Sequence, residues 1–126
     1  MLVFVSAIIY ICFTAIVVLF QFALMFGAPW GAASMGGKYP GKYPPKMRIE
    51  SLINIIIISF QALIVMIKAD FLLPEYKTFS NYAIWFIVGL SVIAVLLNTI
   101  TTSKIERIWA PVGLVLFISS LIVALN

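Results

Sequence analysis

The stretch LVFVSAIIYICFTAIVVLFQFALMF, residues 2–26, runs for 25 positions without a charged side chain. A helix needs about 20 apolar residues to cross roughly 30 Å of hydrocarbon, so this segment can span with some tilt. It lies within a charge-free run at 1–37, and three further runs follow at 51–67, 78–103 and 108–126. Together the four hold 99 of the 126 residues; the whole chain is 64% hydrophobic and 10% charged. A soluble chain this short lacks the volume to bury four helices that are apolar on every side. The expected fold is an all-α membrane protein, a single domain of four transmembrane helices in an up-down bundle. The expected spans are about 2–26, 48–68, 79–100 and 108–125, with a long Gly/Pro-rich loop at 27–45 between helices 1 and 2.

No Lys or Arg precedes the first run, and its length exceeds the about 7–15 residues of a signal-peptide core. It therefore reads as a retained span. Histidine is absent, which removes the usual nitrogen ligand of haem and zinc sites, so no metal or cofactor is expected. Cys12 is the one cysteine and cannot form an intrachain disulfide; mid-helix it behaves as a small hydrophobe. No paired carboxylate or activated nucleophile is visible, so catalysis is not expected.

The segment Gly27–Pro45 concentrates five of the seven glycines and four of the six prolines. It cannot be a regular helix, because proline removes donors and glycine adds backbone entropy. A tandem repeat, Gly37-Lys38-Tyr39-Pro40 then Gly41-Lys42-Tyr43-Pro44, suggests successive turns or a short extended stretch. Pro45 suits the first position of helix 2, where its missing N–H costs nothing. Thr78 or Ser80 is a candidate cap for helix 3. Ser103-Lys104-Ile105-Glu106 fits a capping box for helix 4, in which the glutamate would reach back to the serine. Pro111 should then either kink that helix or separate a short interfacial helix at 104–109 from the span.

In a four-span protein loops 1 and 3 share a side. They carry Lys38, Lys42, Lys46, Arg48, Lys104 and Arg107, against Lys68 and Lys77 opposite. The positive-inside bias puts loops 1 and 3 in the cytoplasm and both termini outside, in a cell (plasma) membrane. Trp30, Tyr39, Tyr43 and Trp109 would line one interface as a belt, with Tyr76, Tyr82 and Trp85 near the other.

Polar residues inside spans are the usual guide to membrane function, and here none of the four carboxylates falls mid-span. That departs from small proton-coupled multidrug transporters, which depend on a glutamate in their first span. Neutral polar residues instead recur at heptad spacing: Thr14 and Gln21, Asn54 and Gln61, Ser91 and Asn98. Seven residues fall about 20° short of two turns, so each pair shares a face. Interhelical hydrogen bonding and a polar seam lining a path both account for the pattern. Gly89, Gly113 and Ser120-x-x-x-Ala124 are small-residue positions at which helices, including those of a second copy, could approach closely.

In the first loop, Trp30, Lys38, Tyr39, Lys42, Tyr43, Lys46 and Arg48 combine positive charge with flat apolar faces. Anionic lipid headgroups suit that mixture at about 1 kcal/mol per basic residue, and a protein partner recognising the Pro/Tyr surface suits it equally. Gly27-Ala28-Pro29-Trp30-Gly31, then Gly36-Gly37-Lys38-Tyr39-Pro40-Gly41, then Pro44-Pro45-Lys46-Met47-Arg48, resembles a loop signature of small uncharacterised bacterial four-span integral membrane proteins. The resemblance implies the four-span architecture in a bacterial inner membrane and singles out this loop; it implies no mechanism. The expected function is thus a non-enzymatic accessory or lipid-binding subunit acting through its first loop. The alternative is a minimal oligomeric transporter or channel with its polar seam in helices 1 and 2. The expected partners are the bilayer, anionic headgroups, and a homo-oligomer or larger membrane complex, with no nucleic acid.

Overall fold

A computed structural model describes residues 1–101 and 103–126. Helix α1 spans Leu2–Met25, α2 Pro45–Lys68, α3 Lys77–Ile100 and α4 Trp109–Leu125. A 24-residue helix is about 36 Å long, and α1, α2, α3 and, with the turn before it (Glu106–Leu125, 20 residues), α4 are long and apolar enough to cross a membrane. The chain is a multi-pass, all-helical membrane bundle. Helices α1 and α3 each pack on α2 and α4, which puts them at opposite corners of the four.

The packing follows from helical periodicity. On α1 the buried positions Ala7, Tyr10, Thr14, Gln21 and Leu24 recur at steps of three, four and seven residues, while Phe4, Ile8, Ile16 and Leu19 point outward. The eight-residue connection between α2 and α3 holds those helices together at its end. There Ala62, Val65, Ile84, Ile87, Val123 and Ala7 form one continuous core. Lys77 clamps the connection, donating to the Lys68 carbonyl at 2.5 Å and pairing with Asp70 at 2.8 Å. At the opposite end a smaller cluster of Leu24, Tyr43 and Met47, with Phe20 against it, ties the first loop to α1 and α2. Between these two clusters the bundle is not filled.

Several local expectations change in detail. Pro45 is the first residue of α2, as expected, so the helix begins three residues before the expected span at 48. Neither Thr78 nor Ser80 caps α3; Ser80 is buried and donates back to the Lys77 carbonyl at 2.7 Å. Before α4 a single 3₁₀ turn, Glu106–Ile108, replaces the expected interfacial helix. Pro111 is then the third residue of α4. First-turn N–H groups have no intrahelical partner, so the proline costs the helix no hydrogen bond there. Ser120 and Ala124 are buried within the chain, so this small-residue pair serves intramolecular packing. Gly113 likewise packs internally, close to Val95 of α3, while Gly89 faces outward. Cys12 is exposed on the outer face of α1.

Candidate functional site

The first loop folds inward over the end of the bundle. Both tandem repeats turn at their glycine, with Gly37 at φ 75° and Gly41 at φ 79°. The loop then closes on itself through Gly31 N–H donating to the Gly41 carbonyl at 2.9 Å. The backbone passes so near Gly31 that an added Cβ would run into the carbonyl oxygen of Tyr39. Only glycine fits there.

Three side chains from the other connection of the same end hold this loop. Ser103 Oγ donates to the Ala32 carbonyl at 2.5 Å, and the Trp109 indole N–H donates to the Ala33 carbonyl at 2.9 Å. Glu106 Oε2 accepts from the Gly36 N–H at 2.6 Å. The expected capping box is therefore half realised: Glu106 N–H does donate to Ser103 Oγ at 3.3 Å. The carboxylate, instead of reaching back, crosses 70 positions of sequence to the loop. Trp109 also packs on Phe20 of α1, ring centroids 4.7 Å apart. Loops 1 and 3 form one lid.

Beneath the lid lies a cavity of about 880 Å³, in the upper part of the roughly 300–1,000 Å³ range of small-molecule sites. Its walls come from all four helices, and its roof is Ala33–Gly36 with Glu106 and Trp109. All six seam residues line it: Thr14 and Gln21 from α1, Asn54 and Gln61 from α2, Ser91 and Asn98 from α3. Among the described residues, no hydrogen bond joins any of these side chains to another helix. Ser91 returns its hydroxyl to its own helix at Ile87. Thr14 Oγ1 and Gln21 Oε1, in residues only 4% and 9% exposed, find no partner among the described residues. The seam is an arrangement of polar groups around a space. It stops midway, because the core at the α2–α3 connection fills the section beyond Tyr10.

A second, wholly apolar groove of about 390 Å³ runs along the outside between α2 and α3. Ile57, Gln61 and Leu90 line both it and the main cavity, so the two spaces adjoin at these residues. The two helices share a core only near their short connection, and further along their facing residues line the cavity.

The loop residues divide into two groups. Trp30, Lys38, Tyr39, Lys42 and Lys46 are exposed, as a binding surface requires. Tyr43 is not: it is 2% exposed beside Leu24 and Met47, which corrects its assignment to that surface. Tyr43 of the second repeat packs into the end of the bundle, while Tyr39 of the first stays outside. Burial pushes the Tyr43 phenol above its ordinary pKa, so it stays neutral. Arg48 is half-buried, donates from Nε to the Tyr43 carbonyl at 2.9 Å, and lies against Gly27. It braces the loop. Trp109 likewise serves as a fastener of the lid as well as an interfacial aromatic.

Glu106, 7% exposed, carries the only charged side chain in the cavity wall among the described residues. Sequence spacing marked it as a helix cap, and its partner, 70 residues away, carries no sequence signal. Compared with known protein families, curated proteins and solved structures, the chain matches none.

Proposed function

We propose that this protein is a non-enzymatic binding protein of the cell membrane, holding a lipophilic molecule in the cavity under its first loop. The observation that carries this reading is the convergence of six polar side chains on one space, two of them with buried atoms that find no partner among the described residues. A buried polar atom without a partner costs about 1–3 kcal/mol, which a ligand's donors and acceptors recover. Neutral amides and hydroxyls among apolar walls suit a molecule with a small polar head and an apolar body. The groove between α2 and α3 provides access from the acyl chains. Six basic residues at the lid end, against two opposite, orient the lid and loops 1 and 3 toward the cytoplasm.

Native mass spectrometry of gently extracted protein tests the reading. The wild type is expected to retain a lipophilic molecule at defined stoichiometry, and Asn54→Leu/Gln61→Leu to lose most of it while remaining folded. Equal retention by both proteins, or none by either, would refute the cavity as a binding site.

The exposed part of the loop supports a second, compatible role as a contact with anionic headgroups. Lys38, Lys42 and Lys46 are all exposed and carry no ion pair among the described residues. At about 1 kcal/mol each near an anionic surface, replacing the three with Gln is expected to weaken binding to phosphatidylserine liposomes about 100-fold or more. Flotation at low salt measures this, and undiminished binding would leave the lysines as topology determinants alone.

A further inference from the structure

We infer that the cavity is selective for lipophilic cations, with Glu106 as the counter-charge; this rests on the binding role proposed above and specifies its ligand. The wall contains one carboxylate and, among the described residues, no Lys or Arg. The six basic residues of this end point elsewhere. Lys38, Lys42, Lys46, Lys104 and Arg107 are exposed, and Arg48 turns back to Tyr43. Arg107 is held through Nε and Nη2 on the Thr101 carbonyl. An anionic ligand would thus enter a space that offers it no cation and one carboxylate.

Glu106 is placed to receive a positive charge. Its Oε2 is committed to the Gly36 N–H, while Oε1 has no protein donor among the described residues. No basic side chain lies within ion-pair distance of it among those residues. Carboxylates withdrawn from water are normally paired, and Glu106, 7% exposed, has no such partner among the described residues. Trp109 follows Glu106 by one helical turn and packs against Phe20 with the rings tilted by 58°, and both rings line the same cavity. Aromatic faces beside a carboxylate are what a large, weakly hydrated cation prefers, because ring quadrupole and charge act in the same direction. The apolar wall formed by Val17, Ile58, Ala94 and Leu116 accommodates the body of such a molecule.

Phenyl-bearing probes of different charge separate the contribution of charge from that of the apolar body. Tetraphenylphosphonium, tetraphenylborate and triphenylphosphine oxide present similar aromatic bodies as cation, anion and neutral species. With Trp30→Phe and Trp85→Phe, fluorescence from Trp109 reports binding to the protein in a detergent of uncharged headgroup. The phosphonium is expected to bind at least tenfold tighter than the neutral oxide, and the borate not measurably. Glu106→Gln should weaken the phosphonium at least tenfold relative to the oxide. The amide oxygen of Gln can still accept from Gly36, so the lid is retained; Glu106→Asp, which keeps the charge, should recover part of the cation affinity. Borate binding as tight as phosphonium, or phosphonium binding indifferent to Glu106→Gln, would overturn the inference. If the neutral oxide binds and the phosphonium is no better, cation selectivity fails while the binding role stands. If no probe binds and no lipophile co-purifies, both fail.

Discussion

In a Cys12→Ala background carrying Ser34→Cys as its sole thiol, adding Gly31→Ala is expected to accelerate labelling by a membrane-impermeant maleimide about 100-fold. Ser34 lines the roof of the cavity and is half-buried under the docked loop. A methyl at Gly31 would overlap the Tyr39 carbonyl and crowd the Gly41 carbonyl at 2.7 Å. Overpacking of this kind costs about 1–3 kcal/mol, and the displaced Gly31–Gly41 hydrogen bond adds roughly 0.5–1.5. A net cost near 3 kcal/mol corresponds to about two decades in the open fraction, at about 1.4 kcal/mol per decade. Gly89→Ala is the control, because a Cβ there meets nothing within 4 Å and glycine is a poor helix former. It should leave labelling unchanged. Equal rates for Gly31→Ala and its parent would mean that the loop does not close the cavity.

Gln21→Leu is expected to move stability and binding in opposite directions. The Gln21 side chain is buried, and its Oε1 has no partner among the described residues. Leucine of similar volume removes the unsatisfied acceptor, which should raise the stability of detergent-solubilised protein by about 1–3 kcal/mol. The same change deletes a polar group from the cavity wall and should abolish retention of the lipophilic ligand. Thermal unfolding and native mass spectrometry on one preparation read both effects. A structural hydrogen-bonding role for Gln21 would give the reverse result, lower stability with ligand retention intact. The opposing signs are what a site maintained for binding at the expense of stability produces.

The spans were legible because the bilayer imposes a length and a composition on any helix that crosses it. Their expected limits differ from the helices by no more than three residues at either end, as at Pro45. The seam was legible for a similar reason. Heptad spacing puts Thr14 with Gln21, Asn54 with Gln61 and Ser91 with Asn98 on common faces whatever the tertiary arrangement. What such faces meet is a question the spacing leaves open. Hydrogen bonding between helices and a lined space give the same periodicity, and only the packing of all four helices distinguishes them. Tyr39 and Tyr43 show the limit most directly. They occupy equivalent places in identical tetrapeptides, yet one is exposed and the other 2% exposed, because only the second lies over Leu24 and Met47.

The amino-acid sequence by itself therefore determined the four apolar helices, the pairing of loops 1 and 3 at one end, and the polar faces of three spans. These follow from local and additive quantities: hydropathy, helical periodicity and the parity of crossings. Tertiary structure alone decided that the polar faces surround a cavity, that the glycine-rich loop is its lid, and that Glu106 joins lid to wall. The Glu106–Gly36 contact joins positions 70 residues apart. Nothing local in either segment encodes it; it exists because the connection before α4 and the first loop are brought to the same end of the bundle, where the unfilled space between α2 and α3 leaves room beneath them.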